Sequence, residues 1–239
     1  MKLIKRILII ILLIIIFIVA GFVYKGHELY KQALEKISIS DKVAEIKSDE
    51  NYTKLEDMSE FYKDAVIAVE DRRFYEHGAI DPIALARAVY SNIKAKELRE
   101  GGSTITQQLA KNIYFTQEKS ALRKISEIFM AYDLEKKLNK DTILELYLNT
   151  SYFGDGYYCV AEASRGYYKK EPKDMNRNEA SMLAGIPNAP SAYCPTKHLD
   201  LAKKRQNQVL DKMVRYEFIT AEEKEEILNE SNAVEDNKD

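Results

Sequence analysis

Two stretches of this chain gather side chains able to move protons and hold anions. The first is Glu70-Asp71-Arg72-Arg73-Phe74-Tyr75-Glu76-His77; the second, about thirty residues on, is Gly101-Gly102-Ser103-Thr104-Ile105-Thr106-Gln107-Gln108-Leu109-Ala110-Lys111-Asn112. If Glu70 lies on a helix, Val66, Glu70 and Phe74 share a face at i, i+4, i+8. A carboxylate among apolar neighbours holds its proton more readily, which suits a general base or acid. The bland alternative is a solvated charged face, the commoner fate of such runs. In the second stretch, the glycines let backbone approach a ligand or let a loop swing, and Ser103, Thr104 and Thr106 offer hydroxyls. Gln107, Gln108 and Lys111 are spaced to present amides and an ammonium from one helix, whose N-terminus favours an anion. No lysine follows the glycines at P-loop spacing and no strand precedes them, so a nucleotide loop is excluded. The bland alternative here is a capped helix with exposed polar residues. A third cluster is Lys119, Arg123, Lys124 and Glu127. Arg123 and Glu127, at i and i+4, form either a surface ion pair or part of a cationic diphosphate site holding a second carboxylate. Together the three clusters point to a base acting on a bulky, phosphate-bearing substrate.

The elements that must position these groups read as helices. The 239 residues allow one domain plus appendages. A net charge of −2 gives no pull toward nucleic acid, and no Trp, nine Gly and five Pro favour helix over sheet. Ile7 to Val23 is an unbroken apolar or small run. As a helix it spans about 26 Å, slightly under a hydrocarbon core of roughly 30 Å. Lys2, Lys5 and Arg6 before it place the N-terminus in the cytoplasm and the remainder outside. The run exceeds a usual signal core and no Ala-x-Ala site follows, so an uncleaved anchor is preferred to a signal peptide. Cys159 and Cys194 read as separate free thiols, and no Cys/His cluster has zinc spacing. His77 reads as structural. With three histidines in the chain, no Ser-His-Asp arrangement can be argued.

The organisation expected is a basic tail (1–6), a transmembrane anchor (7–24), a stalk or loosely packed lead-in (25–54), a catalytic domain (55–228) and a disordered acidic tail (229–239). Ser59 caps a helix running through Phe61, Ala65, Val66, Val69 and Arg73. Asp81-Pro82 starts another that carries Ile83, Leu85, Val89, Tyr90 and Ile93. Thr104-x-x-Gln107 is a capping box. Further helices begin near Ser120, at an Asp141 cap, near Asn178 and at Thr220-x-x-Glu223.

At these residues the chain resembles the family-51 glycosyltransferases, the peptidoglycan polymerases. Five segments match in order: Glu70–Asp81, Gly101–Asn112, Arg123–Glu135, Glu145–Gly154 leading into Gly156–Lys170, and Glu179–Tyr193. They cover roughly residues 55–220. The resemblance implies a mainly α, lysozyme-like fold, with a head lobe and a membrane-facing jaw that includes much of Ile83–Arg99, after one N-terminal transmembrane helix. The chain ends soon after the match, so a monofunctional enzyme without a penicillin-binding transpeptidase domain is expected. The implied reaction is glycan polymerisation from lipid II. Glu70 corresponds to the general base that deprotonates the GlcNAc C4 hydroxyl, and Glu127 to the second essential glutamate. Gln108, Lys111, Lys119, Arg123 and Lys124 correspond to the donor diphosphate site. Undecaprenyl diphosphate leaves, and inversion gives a β-1,4 bond. No cofactor is required; a divalent cation, Mg or Mn, would assist at the diphosphate, but the sequence has no dedicated cage for one. Lipid II, the growing glycan, membrane lipid and other cell-wall synthesis proteins are the implied partners. The competing readings are a lysozyme-like glycan-cleaving enzyme and a non-catalytic cell-wall scaffold.

Three departures from the family pattern stand out. The glycine after His77 is one position early, at Gly78. Lysine stands at Lys119 where arginine is common, keeping charge but losing a bidentate fork. The usual Tyr-Phe-Gly-Lys becomes Tyr167-Tyr168-Lys169-Lys170.

Overall fold

The computed structural model describes residues 2–95, 101–116 and 120–230. Among them are eleven α-helices and no strand. The helices are α1 (Lys2–Lys36), α2 (Ile39–Lys47), α3 (Glu60–Glu70), α4 (Pro82–Ala95), α5 (Ile105–Tyr114) and α6 (Ala121–Lys137), followed by α7 (Lys140–Leu148), α8 (Val160–Tyr168), α9 (Arg177–Gly185), α10 (Leu199–Arg215) and α11 (Ala221–Leu228).

The centre of the domain is α3. Tyr62, Ala65, Val66, Ile67, Ala68 and Val69 are all buried, because α9 and α10 pack on it. Each Val or Ile so covered contributes about 1.5–3 kcal/mol, and Ala65 and Ala68 let the neighbouring helices approach. The helix stops at Glu70, short of the expected Arg73. Asp71 leaves helical space at φ −157° and ψ 73°. Its side chain has other partners, accepting from Ile105 N at 3.0 Å and meeting His77 Nε2 at 2.7 Å. Phe74 is fully buried but not on a helical face shared with Glu70.

Local signals place most helix starts correctly. Asp81 Oδ1 accepts from Ile83 N and Ala84 N at 2.9 and 3.0 Å, and α4 begins at Pro82. Both capping boxes, at Thr104/Gln107 and Thr220/Glu223, are formed. Asn139, not Asp141, caps α7; Asp141 sits inside the first turn.

The lead-in expected as loosely packed is largely helical and docked. α1 continues past the apolar run to Lys36 and packs on α6, and Ala33 and Ile39 are buried in the core. Its apolar half, by contrast, is exposed throughout. It belongs to the one helix among the described residues that is long and apolar enough to cross a membrane. α4 is also unusual, because Ile83, Leu85, Val89, Tyr90 and Ile93 are exposed and only Ala88 is buried. Residues 96–99 of the expected jaw lie outside the described residues.

The sequence departures resolve differently. At Gly78 an added Cβ would meet nothing within 4 Å and the backbone is not left-handed, so the shifted glycine carries no conformational demand. Lys169 ends α8 at φ 58°, a left-handed cap where glycine is normally favoured. A non-glycine residue there costs about 1–2 kcal/mol. Lys169→Gly is therefore expected to stabilise the protein by about 1 kcal/mol, raising the thermal midpoint by roughly 3 °C in calorimetry. Cys159 and Cys194 are both buried and free.

Candidate active site

Glu70 is the last residue of α3 and faces a cleft of about 820 Å³. Its placement follows from a chain of local bonds. Asp71 joins the end of α3 to the start of α5 through Ile105 N. Arg73 makes a two-pronged contact with Asp81 at 3.0 and 3.1 Å, closing the loop between α3 and α4. Thr104 Oγ1 donates to Ala79 O at 2.8 Å and ties the same loop to the α5 cap. The result sets Gln108 beside Glu70, with Gln108 Nε2 donating to Glu70 Oε2 at 2.7 Å. The other oxygen, Oε1, is buried without a hydrogen-bond partner, and Arg205 Nη2 stands 4.0 Å from it.

Lys111 follows Gln108 by three residues on α5 and also lines the cleft. Among the described residues its Nζ has no hydrogen-bond or ion-pair partner. Burial pushes this ammonium below the usual lysine value. Glu127 opposes that, Arg123 adds to it, Glu70 opposes and Lys124 adds. Lys111 therefore senses Glu70 and Glu127 as well as Arg123 and Lys124.

That cluster comes from the first two turns of α6. Glu127 is 2% exposed, which rules out the surface ion pair. Lys124 Nζ donates to Glu127 Oε2 at 2.9 Å and to Ser103 Oγ at 2.8 Å. Arg123 Nη1 lies 3.0 Å from Glu127 Oε1, but Oε1 and Arg123 Nε make no hydrogen bond of acceptable geometry. The contact is a close charge pair inside the cleft wall. Of the hydroxyls, only Ser103 reaches the cluster; Thr104 caps α5 and Thr106 Oγ1 bonds Glu135. Gln107 is spent in its capping box. Lys119 lies outside the described residues.

The opposite wall holds groups that the sequence reading missed. Arg205, Gln208, Lys212 and Arg215 line the cleft from α10. Their spacing of 3, 4 and 3 residues is itself a one-face signal. Lys212 Nζ donates to Val69 O at 2.8 Å, capping the end of α3 next to Glu70. Arg72 sits over the Tyr216 ring at 4.7 Å. Among the described residues, eight cations line the cleft against the four carboxylates of Glu70, Asp71, Asp81 and Glu127. In a chain of net charge −2, that concentration marks an anion site.

Two carboxylate groupings test for a metal. Asp71, His77 and Asp81 bring donor atoms within 4.8 Å of one another. Asp71 and His77 already bond each other, and Asp81 is held by Arg73. Burial lowers the His77 pKa, but the bond to Asp71 and its charge outweigh that and hold it above its ordinary value. At the α6 cluster, Arg123 and Lys124 face both oxygens of Glu127. Neither grouping fits a resident divalent cation.

Comparison with known proteins gives the family. The family described as "Transglycosylase" matches residues 39–214. The chain belongs to the transglycosylase family. It is similar to penicillin-binding protein 1A of Neisseria lactamica, 42% identical over 206 residues, covering 85% of this chain and 26% of that protein. It is also similar to penicillin-binding protein 1F of Bacillus subtilis, 40% identical over 233 residues, covering 93% of this chain and 33% of that protein. Among solved structures, penicillin-binding protein 1A from Haemophilus influenzae matches with a TM-score of 0.38 at 31% identity, covering 53% of this chain and 16% of that one. This transglycosylase chain thus spans about a quarter to a third of the length of the curated relatives named here.

Proposed function

We propose that this chain polymerises peptidoglycan glycan strands from lipid II at a membrane surface. The observation that carries the reading is the buried Oε1 of Glu70, which has no hydrogen-bond partner and stands 4.0 Å from Arg205 Nη2 at the wall of a cation-lined cleft. With Gln108 holding the other oxygen, Oε1 accepts the proton from the GlcNAc C4 hydroxyl of an incoming lipid II as general base. That hydroxyl oxygen attacks C1 of the MurNAc at the reducing end of the growing chain. The bond from C1 to the undecaprenyl diphosphate breaks, and attack from the opposite face turns an α linkage into a β-1,4 bond. Lys111, Arg123 and Lys124 stabilise the charge that develops on the leaving diphosphate. Glu127 keeps Arg123 and Lys124 aimed at it, and Lys119 is assigned to the same group on sequence alone. No cofactor is needed, because protein cations neutralise the diphosphate; Mg or Mn would then bind mainly through substrate oxygens.

The apolar half of α1 serves as a single-pass anchor, with the N-terminus cytoplasmic and the domain outside. The exposed apolar residues of α4 meet membrane lipid, which would cover a face that water does not favour. A glycan hydrolase on the same scaffold needs an acid at Glu70 but has no use for eight cations, which weighs against that alternative. A scaffold has no use for a buried carboxylate oxygen left without a hydrogen bond.

The test mixes the full-length protein with lipid II in detergent and resolves products by size. Polymer longer than the substrate is the expected product. Shortening of preformed glycan would favour the hydrolase, and binding with no product would favour the scaffold.

A further inference from the structure

The seam between α1 and α6 joins the anchor to the helix that carries Arg123, Lys124 and Glu127. Gly26 is buried, and a Cβ there would fall 2.7 Å from Ile125 Cβ and 3.3 Å from Leu122 O. Ser126 Oγ donates to Gly26 O at 2.8 Å. Further along, His27 packs edge-on to Phe129 at 4.9 Å, and Tyr30 OH donates to Asp133 Oδ2. The partners rise in number together, so the two helices run parallel and in fixed register. α1 is unbroken from the apolar run through this seam. Gly26 lies three residues past Val23, or about 4.5 Å along the axis. Arg123 and Lys124, at the start of α6, are thereby held within about one helical turn of the end of the apolar run.

We propose that the α1–α6 seam is a ruler that fixes the height of the diphosphate-binding cations over the membrane. Gly26 and Ser126 are its positioning residues. The substrate's diphosphate sits where a polyprenyl tail meets water, so it cannot leave that plane. The cations must come to it, and a continuous helix locked by a glycine contact sets their level without a flexible stalk. The proposal rests on the polymerase reading and on α1 as an anchor.

The test inserts seven polar, helix-forming residues between Tyr24 and Lys25. Two turns raise the domain by about 10 Å while nearly preserving the seam face. A control places the same seven residues before Lys2. Each full-length protein is assayed on lipid II in liposomes, and on the same disaccharide-peptide diphosphate carrying a short, water-soluble prenyl chain. The expected result is a loss of at least about tenfold in liposomes for the Tyr24–Lys25 insertion, with the soluble analogue turned over within about twofold of the unmodified chain. The control should match the unmodified chain on both substrates. Unchanged turnover in liposomes would overturn the ruler, as would equal loss on both substrates or an equal loss in the control. If the unmodified chain polymerises neither substrate, the polymerase reading itself fails and takes the ruler with it. Polymerisation by the unmodified chain together with an insensitive insertion removes the ruler alone.

Discussion

Glu70→Gln is expected to leave a folded protein that binds lipid II and forms polymer some 10²–10⁴-fold more slowly. The substitution keeps the shape of the side chain. Its amide can still accept from Gln108 Nε2, the bond that Glu70 Oε2 accepts at 2.7 Å. What disappears is the basic oxygen, because the NH₂ group at the former Oε1 position donates and cannot take a proton. The buried Oε1 accepts no hydrogen bond, so the substitution breaks none, and the charge it removes faces Arg205 Nη2 only at 4.0 Å. The loss should therefore appear equally in kcat and kcat/KM, the pattern of an interaction made only in the transition state. Thermal denaturation of the variant should stay close to that of the parent. A rate within tenfold of the parent would place the base elsewhere and remove the main support for the proposed mechanism.

What the sequence made legible follows the range of the forces involved. Helix starts depend on side-chain to backbone bonds two or three residues away, so Asp81-Pro82 and Thr104-x-x-Gln107 could be read directly. Gln108 and Lys111 lie within one such segment, and Arg123, Lys124 and Glu127 within another. The face shared by Glu70 and Phe74 failed because Asp71 is committed to Ile105 and His77, contacts that no helical period reveals. The α10 wall was missed for a related reason. Arg205 and Lys212 sit more than a hundred residues from Glu70, and a basic stripe on a helix ordinarily reads as solvated surface. The docking of 25–54 was hidden by composition: its seam uses one glycine, one alanine and amphipathic aromatics in a polar stretch, and a hydrophobic pattern scarcely registers them. At Lys169 the missing glycine was visible in sequence, but only the left-handed backbone shows what it costs.

Lys111→Met should act in opposite directions on catalysis and stability. Methionine keeps the length of the side chain and removes the charge. Turnover is expected to fall about 10²–10³-fold, because charge building on the leaving diphosphate loses one of its fixed partners. The protein without substrate should become more stable. Burial holds the Lys111 pKa below the usual lysine value, so in the folded state the charged form is disfavoured. With the folded pKa below the unfolded one, this lysine destabilises the fold at neutral pH. The penalty diminishes as pH rises through the folded value and vanishes above the unfolded value of 10.5. The thermal midpoint of Lys111→Met should thus exceed that of the parent at pH 7, and the gap should close toward strongly alkaline pH. A bound diphosphate offsets the same penalty by supplying the missing counter-charge, so ligand should stabilise the parent more than the variant. Equal stabilisation of both by a diphosphate substrate analogue, or unchanged turnover in the variant, would remove Lys111 from the diphosphate site. The desolvation of Lys111 is then the reason the site prefers an anion: a cation held away from water gains more from a phosphate than an exposed one would.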